Sequence, residues 1–289
     1  MLAVAYPINF LGRPWPISPK LQRAHLWIFV CCLRCRPRTE YMQKALVEPL
    51  QEIFSCNLHM MDIGMFVRGF MVAKWTENMS ISLQSFRSCI DPQRRLETLP
   101  RCLVPLIEKC RRSQVVAVKV IRLHMSYVDQ LLADDPDLRL IHVVRDPRGL
   151  LESWWKLNSK PSRYSMYHRR QLDAKIMCQR MVTDCRIRRQ LESKYPRRIL
   201  LLRYEDLVTA TDTVIGDIYN GLLQMALPSN IIDVIKQQMH AASDNGVTGT
   251  QRKNGTATAT NWRRTINRAL LDYITDKCRP LLDELRYQL

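Results

Sequence analysis

The sequence predicts an α/β fold in which a central parallel sheet is flanked by helices. Three observations carry that reading. The runs VVAVKVIRL (115–123), LRLIHVV (138–144) and ILLL (199–202) are short, almost wholly apolar and rich in β-branched residues, as strands covered on both faces are. Each is followed by a segment with helical spacing, so strand and helix alternate along the chain. Turn signals, such as Asp134-Asp135-Pro136-Asp137, separate one unit from the next.

The composition suits such a core. Of 289 residues, 46% are hydrophobic and 25% charged, which is globular rather than disordered. Lys and Arg number 44 against 27 Asp and Glu, a formal charge of +17 that favours polyanionic partners: nucleic acid, anionic glycans, nucleotides or an acidic membrane surface. The basic residues are spread along the chain without a tail, and neither zinc-finger spacing nor an aromatic-interleaved basic module occurs, so no nucleic-acid partner is expected.

Residues 1–38 are punctuated by Pro7, Pro14, Pro16, Pro19 and Pro37 and read as a poorly ordered or atypical N-terminal extension, with one domain over 39–289. Within the extension, Leu26–Leu33 is apolar but about half the ~18–20 residues needed to span a bilayer; it is a signal-like segment or a buried strand. Met42, Leu46, Leu50 and Phe54 predict a helix from Thr39 to Phe54, and 57–95 shows no assignable period. Helices are expected over Leu99–Cys110 and Ser126–Ala133. Leu172, Ile176, Met177, Met181 and Cys185 mark one face of a long helix within Ser162–Ser193 that Pro196 ends. Further helices over Thr213–Met225 and Ser229–Ala242 precede a Gly-, Asn- and Thr-rich loop, Ser243–Asn261. A closing helix carrying Ile266, Leu270, Tyr273 and Ile274 is broken near Pro280.

Ten cysteines, at 31, 32, 35, 56, 89, 102, 110, 178, 185 and 278, point to disulfides of the secretory pathway, a compartment with which the sequons at Asn78 and Asn254 agree. Cys32-x-x-Cys35 has no matching second pair, and no metal site is expected.

Chemistry concentrates at the junction VVRDPRGLLES. Asp146 is a good N-cap and Pro147 is preorganised for the first helical position, so the strand ends at Arg145 and a helix begins at once. A helix start carries unpaired N–H groups and the positive end of the dipole, and Arg145 adds a cation beside them. An anion, a phosphate above all, fits there. Gly149 and Ser153 share a helix face, one permitting close approach and the other offering a hydroxyl.

With these residues in view, the chain resembles the carbohydrate sulfotransferases, Golgi enzymes that sulfate the 6-hydroxyl of galactose or N-acetylglucosamine. KVIRL, DPDLRLIHVVRDPRGLLES, LLLRYEDLVT followed by IYNGLL, and NGTATATNWR carry the resemblance from about Glu40 to Leu289. It implies a P-loop-NTPase-like sulfotransferase fold, transfer of a sulfuryl group from 3′-phosphoadenosine 5′-phosphosulfate to a glycan or glycoprotein acceptor, and a Golgi-lumen enzyme. Family members are membrane-anchored, and a homodimer is compatible with the pattern. The same resemblance assigns Arg145 and Ser153 to the 3′-phosphate, Tyr204 to the adenine, and Arg252 and Lys253 to a segment folding over the nucleotide. For the transfer step, Lys119 and Arg122 are candidates to stabilise the leaving phosphate oxygen and His124 to serve as base. One departure stands out: residues 1–60 contain no Arg-Thr-Gly-Ser-Ser-Phe type of loop for the 5′-phosphosulfate, and Gly12-Arg13-Pro14 cannot replace it because Pro14 lacks an N–H. The fold is therefore expected to be N-terminally incomplete. The alternative function is a catalytically silent member that binds nucleotide or acidic glycan.

Overall fold

A computed structural model describes residues 3–7, 24–30, 40–67, 81–90, 96–120, 123–157, 166–244 and 251–288. The described residues up to Ile141 form one compact unit and those from His142 onward a second.

In the first unit the strands are β1 (Ala3–Pro7), β2 (Ala24–Val30), β3 (Val115–Val120) and the start of β4 (Leu138–Val144), ordered β1-β3-β2-β4. β2 runs parallel to β3 with Leu26 opposite Ala117 and Trp27 opposite Val118, so the described part of the apolar run at 26–33 is a strand. Both β1 and β2 fall inside 1–38, and β1 is antiparallel to β3, so the sheet is mixed at this edge. Every residue of β3 is buried except Lys119, which is why its sequence is a continuous apolar run rather than an alternation.

Helix α1 (Glu40–Phe54) buries Leu50 and Phe54 of the expected stripe together with Val47 and Ile53, and the side chains of Met42 and Leu46 lie outside those described. In the stretch without a readable period, a 3₁₀ turn at Leu58–Met60 is followed by α2 (Gly64–Val67) and α3 (Ile81–Ile90). Phe66 meets Phe86 edge-to-face at 5.9 Å. α4 (Leu99–Arg112) is tied by two disulfides, Cys56–Cys110 and Cys89–Cys102. α5 (Val128–Asp134) buries Val128, Leu131 and Leu132 ahead of β4.

The second unit continues from the end of β4 into α6 (Pro147–Leu157), α7 (Met166–Lys194) and β5 (Ile199–Arg203), which neighbours β4 in the sheet. The buried face of α7 is Ala174, Met177, Cys178, Met181, Cys185 and Leu191, whereas Leu172 and Ile176 are 57% and 50% exposed. Met177, Met181 and Cys185 of the expected face are thus buried, while Ala174 and Cys178 take the places in the stripe that the spacing gave to Leu172 and Ile176. Two buried charges on α7 stay inside by pairing: Asp184 with Arg180 at 3.7 Å, and Arg188 with Glu192 and Glu284. Cys178–Cys278 fastens α7 to the end of α13 (Arg268–Lys277). Cys185 is the free cysteine of the described residues, and burial pushes its thiol up to about 12.

Beyond β5 come α8 (Tyr204–Thr209), α9 (Thr211–Gly216), α10 (Ile231–Met239), α11 (Gly255–Thr260), α12 (Trp262–Thr265), α13 and α14 (Arg279–Glu284). Two expectations change here. The single helix over 213–225 becomes α9 followed by π-helical turns at Asp217–Leu223, closed by Gln224 at φ 53°. The buried hydrophobic positions of this stretch are Ile215 on α9 and Leu222 and Leu223 in the π-helical turns. The expected loop Ser243–Asn261 contains α11, since the Asn254 side chain accepts from the Ala257 N–H at 2.8 Å and acts as N-cap to an Ala/Thr run. Pro280 breaks the closing helix by opening α14 in its first turn.

Candidate functional site

The site is built where β4 and β5 end, within the second unit. Asp146 caps α6 as expected: its Oδ1 accepts from the Arg148 N–H at 2.9 Å, and its carbonyl accepts from the Leu150 N–H at 2.9 Å. The same carboxylate also accepts from Arg148 Nε and Nη2 at 3.0 and 2.7 Å, an ion pair whose side chains are only 2% and 4% exposed. The Asp146 N–H donates to Glu205 Oε1 at 3.1 Å. Two N–H groups of the helix start are therefore already satisfied by carboxylates, and Pro147 has none to give. The Arg145 side chain therefore stands beside a helix start whose Asp146 and Arg148 N–H groups are already paired.

Arg145 leaves β4 half-buried. Its guanidinium stands 4.8 Å from the centroid of the Tyr204 ring, at the first residue of α8 after β5, and Nη2 donates to the Thr258 carbonyl of α11 at 2.9 Å. Its Nε is buried and has no hydrogen-bond partner among the described residues. A buried donor left unmatched costs about 1–3 kcal/mol, so an oxygen of a bound anion at that atom would be favourable. Burial raises the Tyr204 phenol above its ordinary range, opposed by the Arg145 and Arg252 cations. Arg145, Tyr204 and Arg252 thus form one electrostatic neighbourhood.

α11 reaches Arg145 because Gly255 fits tightly against Val208 of α8 and Met239 of α10, where an added Cβ would lie 3.4 and 3.3 Å from their side chains. Arg252 is placed by backbone pairing with the end of α10: its N–H donates to the Gln238 carbonyl and its carbonyl accepts from the Ala241 N–H, both at 2.8 Å. Lys253 is exposed, and its N–H donates to Asp244 Oδ1 at 2.7 Å. Ser153 is half-buried on α6, and its hydroxyl has no hydrogen bond among the described residues.

The remaining candidates belong to the first unit. Lys119 is the exposed position of β3, opposite Ala3 and Ile28; burial around its ammonium lowers its pKa although the side chain as a whole keeps contact with solvent. His124 is half-buried, and its carbonyl accepts from the Tyr127 N–H at 3.1 Å to close a 3₁₀ turn. Arg122, Gly12, Arg13, Pro14, Cys31, Cys32, Cys35 and Asn78 lie outside the described residues. No cluster of metal-ligating side chains occurs among the described residues, and no helix there is long and apolar enough to cross a membrane.

Residues 45–223, which include the β4–α6 junction and the β5–α8 junction, match a family described as "Sulfotransferase family". The chain belongs to the sulfotransferase family. Among curated proteins it is similar to carbohydrate sulfotransferase 1 of Danio rerio, 26% identical over 202 residues, a match covering 63% of this chain and 46% of that protein. It is also similar to carbohydrate sulfotransferase 3 of Homo sapiens, 29% identical over 199 residues, covering 63% of this chain and 40% of that protein. The chain therefore spans less than half the length of the curated relatives it matches. A solved structure, the sulfotransferase domain of the Synechococcus PCC 7002 olefin synthase, aligns over 96% of this chain and 100% of that one with TM-score 0.46 and 15% identity.

Several groups in this family member's site had no signal of their own in the sequence. Glu205, Thr258 and Tyr287 reach the junction from distant segments. Gly149 has a purpose other than ligand approach: a Cβ there would lie 2.6 Å from Trp262 Cδ1, so the glycine makes room for the Trp262 ring of the NWRR segment. Arg148 stacks over the same ring at 4.6 Å and Arg263 at 4.9 Å.

Proposed function

We propose that the chain transfers a sulfuryl group from 3′-phosphoadenosine 5′-phosphosulfate to a glycan hydroxyl, the 6-OH of galactose or N-acetylglucosamine, in the Golgi lumen. The observation that carries this reading is Arg145, half-buried at the end of β4 with an unmatched Nε and its guanidinium against Tyr204. In a sulfotransferase-family chain this is a fitting seat for the phosphate that distinguishes the donor from other adenine nucleotides. Arg145 pairs with the 3′-phosphate through a planar donor array, Ser153 adds a hydroxyl, and Tyr204 borders the adenine. Arg252 and Lys253 bring further positive charge to the nucleotide.

During transfer the acceptor oxygen forms a bond to sulfur while the bond from sulfur to the 5′-phosphate oxygen breaks. The acceptor proton passes to a base, and the electron pair stays on the phosphate. Lys119 and Arg122 are assigned to stabilising that developing charge, and His124 to receiving the proton. The secretory-pathway reading is supported by three disulfides among the described residues.

Two measurements test the proposal together: calorimetry with 3′,5′-ADP, and transfer of radiolabelled sulfate to keratan-type acceptors. Binding that disappears in Arg145→Ala, with transfer by the intact chain, is the expected result. Unchanged affinity in Arg145→Ala overturns the phosphate assignment. Binding without transfer to any glycan acceptor overturns the transferase assignment and leaves a nucleotide-binding protein.

A further inference from the structure

We infer that Tyr287 and Glu205 form a latch that positions Arg145, making Tyr287 a positioning residue for recognition of the 3′-phosphate. The inference rests on the nucleotide reading of Arg145 given above. Its observations are a set of contacts that returns the segment after α14 to the start of α6.

α14 ends in a Schellman motif. Arg286 takes φ 55°, its N–H donates to the Asp283 carbonyl at 3.1 Å, and the Tyr287 N–H donates to the Leu282 carbonyl at 2.8 Å. A left-handed residue at that place is usually glycine, so an arginine there carries a conformational cost that the contacts beyond it must offset. Those contacts are specific. Tyr287 is 7% exposed and sits in the same core cluster as Leu282, and its hydroxyl donates to Glu205 Oε2 at 2.9 Å. The Arg203 guanidinium lies 4.4 Å from the ring centroid. The Gln288 carbonyl accepts from Arg148 Nη2 at 2.6 Å.

The two oxygens of Glu205 are divided between the latch and the junction. Oε2 holds the Tyr287 hydroxyl, while Oε1 holds the N–H of Asp146, the residue bonded to Arg145. Arg148 closes the ring, since it grips the Asp146 carboxylate and the Gln288 carbonyl at once. The peptide joining Arg145 to Asp146 is therefore held at its N–H by Glu205, while Arg148 holds the Asp146 side chain next to it. Removing the Tyr287 hydroxyl leaves Glu205 free to turn, and the peptide that aims Arg145 loses its acceptor.

The test compares Tyr287→Phe with the unaltered chain by calorimetry against 3′,5′-ADP and 5′-AMP, which differ in the 3′-phosphate. The phenylalanine keeps the ring in the core, and Glu205→Gln, which alters the other end of the latch, serves as the second variant if the first does not fold. The expected result is an affinity for 3′,5′-ADP about tenfold lower with 5′-AMP unchanged, so that the preference for the 3′-phosphate narrows. An equal loss for both nucleotides, or an unchanged preference, overturns the inference. If the unaltered chain has no preference for 3′,5′-ADP, the nucleotide reading of Arg145 fails, and hydrogen exchange over 144–150 decides the latch separately. Faster exchange in Tyr287→Phe then supports it, and unchanged exchange refutes it.

Discussion

The Trp262 ring occupies the space that any side chain at residue 149 would need, its Cδ1 lying 2.6 Å from where a Cβ would be. Trp262 is 5% exposed, so it has little room to retreat. Gly149→Ala should therefore destabilise the protein by about 1–3 kcal/mol, the usual cost of overpacking, despite alanine's better helix propensity. Chemical denaturation measures this. A stabilised Gly149→Ala variant would show that the helix gain outweighs the clash.

Arg145 uses two properties that lysine lacks, a planar face toward Tyr204 and a fork that reaches the Thr258 carbonyl while leaving Nε available. Arg145→Lys keeps the charge but should weaken 3′,5′-ADP binding by roughly ten- to a hundredfold. Titration calorimetry reads the change directly. Equal affinity in the lysine variant would mean that charge alone, without the fork, holds the phosphate.

His142 is 1% exposed in β4, and burial, with a smaller contribution from the Arg188 cation, pushes its pKa down from 6.5 to about 3. The unfolded chain takes up this proton below pH 6.5 while the folded chain stays neutral until about pH 3, so the contribution to stability is complete above 6.5 and falls with pH across that window. Between pH 7 and pH 5 the loss should be about 2 kcal/mol. Urea midpoints at the two pH values, compared with those of His142→Gln, isolate the effect: the variant should show a shallower pH dependence.

Cys178–Cys278 joins residues 100 apart in sequence across the core of the second unit. Replacing both cysteines by alanine frees that loop in the unfolded chain and should cost about 2–5 kcal/mol. The matching observation is a lower thermal midpoint that reducing agent reproduces in the parent protein. Cys185, buried with its thiol pushed up to about 12, should stay unreactive toward alkylating reagents until the protein unfolds.

Most of the α/β order was legible in the sequence because it is encoded locally. β3, β4 and β5 lie on the three apolar runs, and Asp146 and Pro147 start α6 as their side-chain chemistry requires. The misreadings have local causes too. Asn, Gly and Thr around 254–260 look like loop formers, yet one Asn used as an N-cap converts the run to α11. On α7, Leu172 and Ile176 carry the right spacing for a buried face, but spacing cannot tell which of two overlapping stripes meets the core.

The sequence by itself determined a strand running into a capped helix with an arginine at the joint, and it tied that joint to a family. Only the tertiary structure decided which groups meet at the joint. The groups that meet this joint are Glu205 on the Asp146 N–H, Thr258 on Arg145 and Gln288 on Arg148, which stand 59, 113 and 140 residues from the residues they contact. Capping and periodicity act over one helical turn and can be read in order along the chain. Contacts across such separations arise only when packing brings strand ends, α11 and the turn after α14 together, so the surroundings of Arg145 belong to the fold.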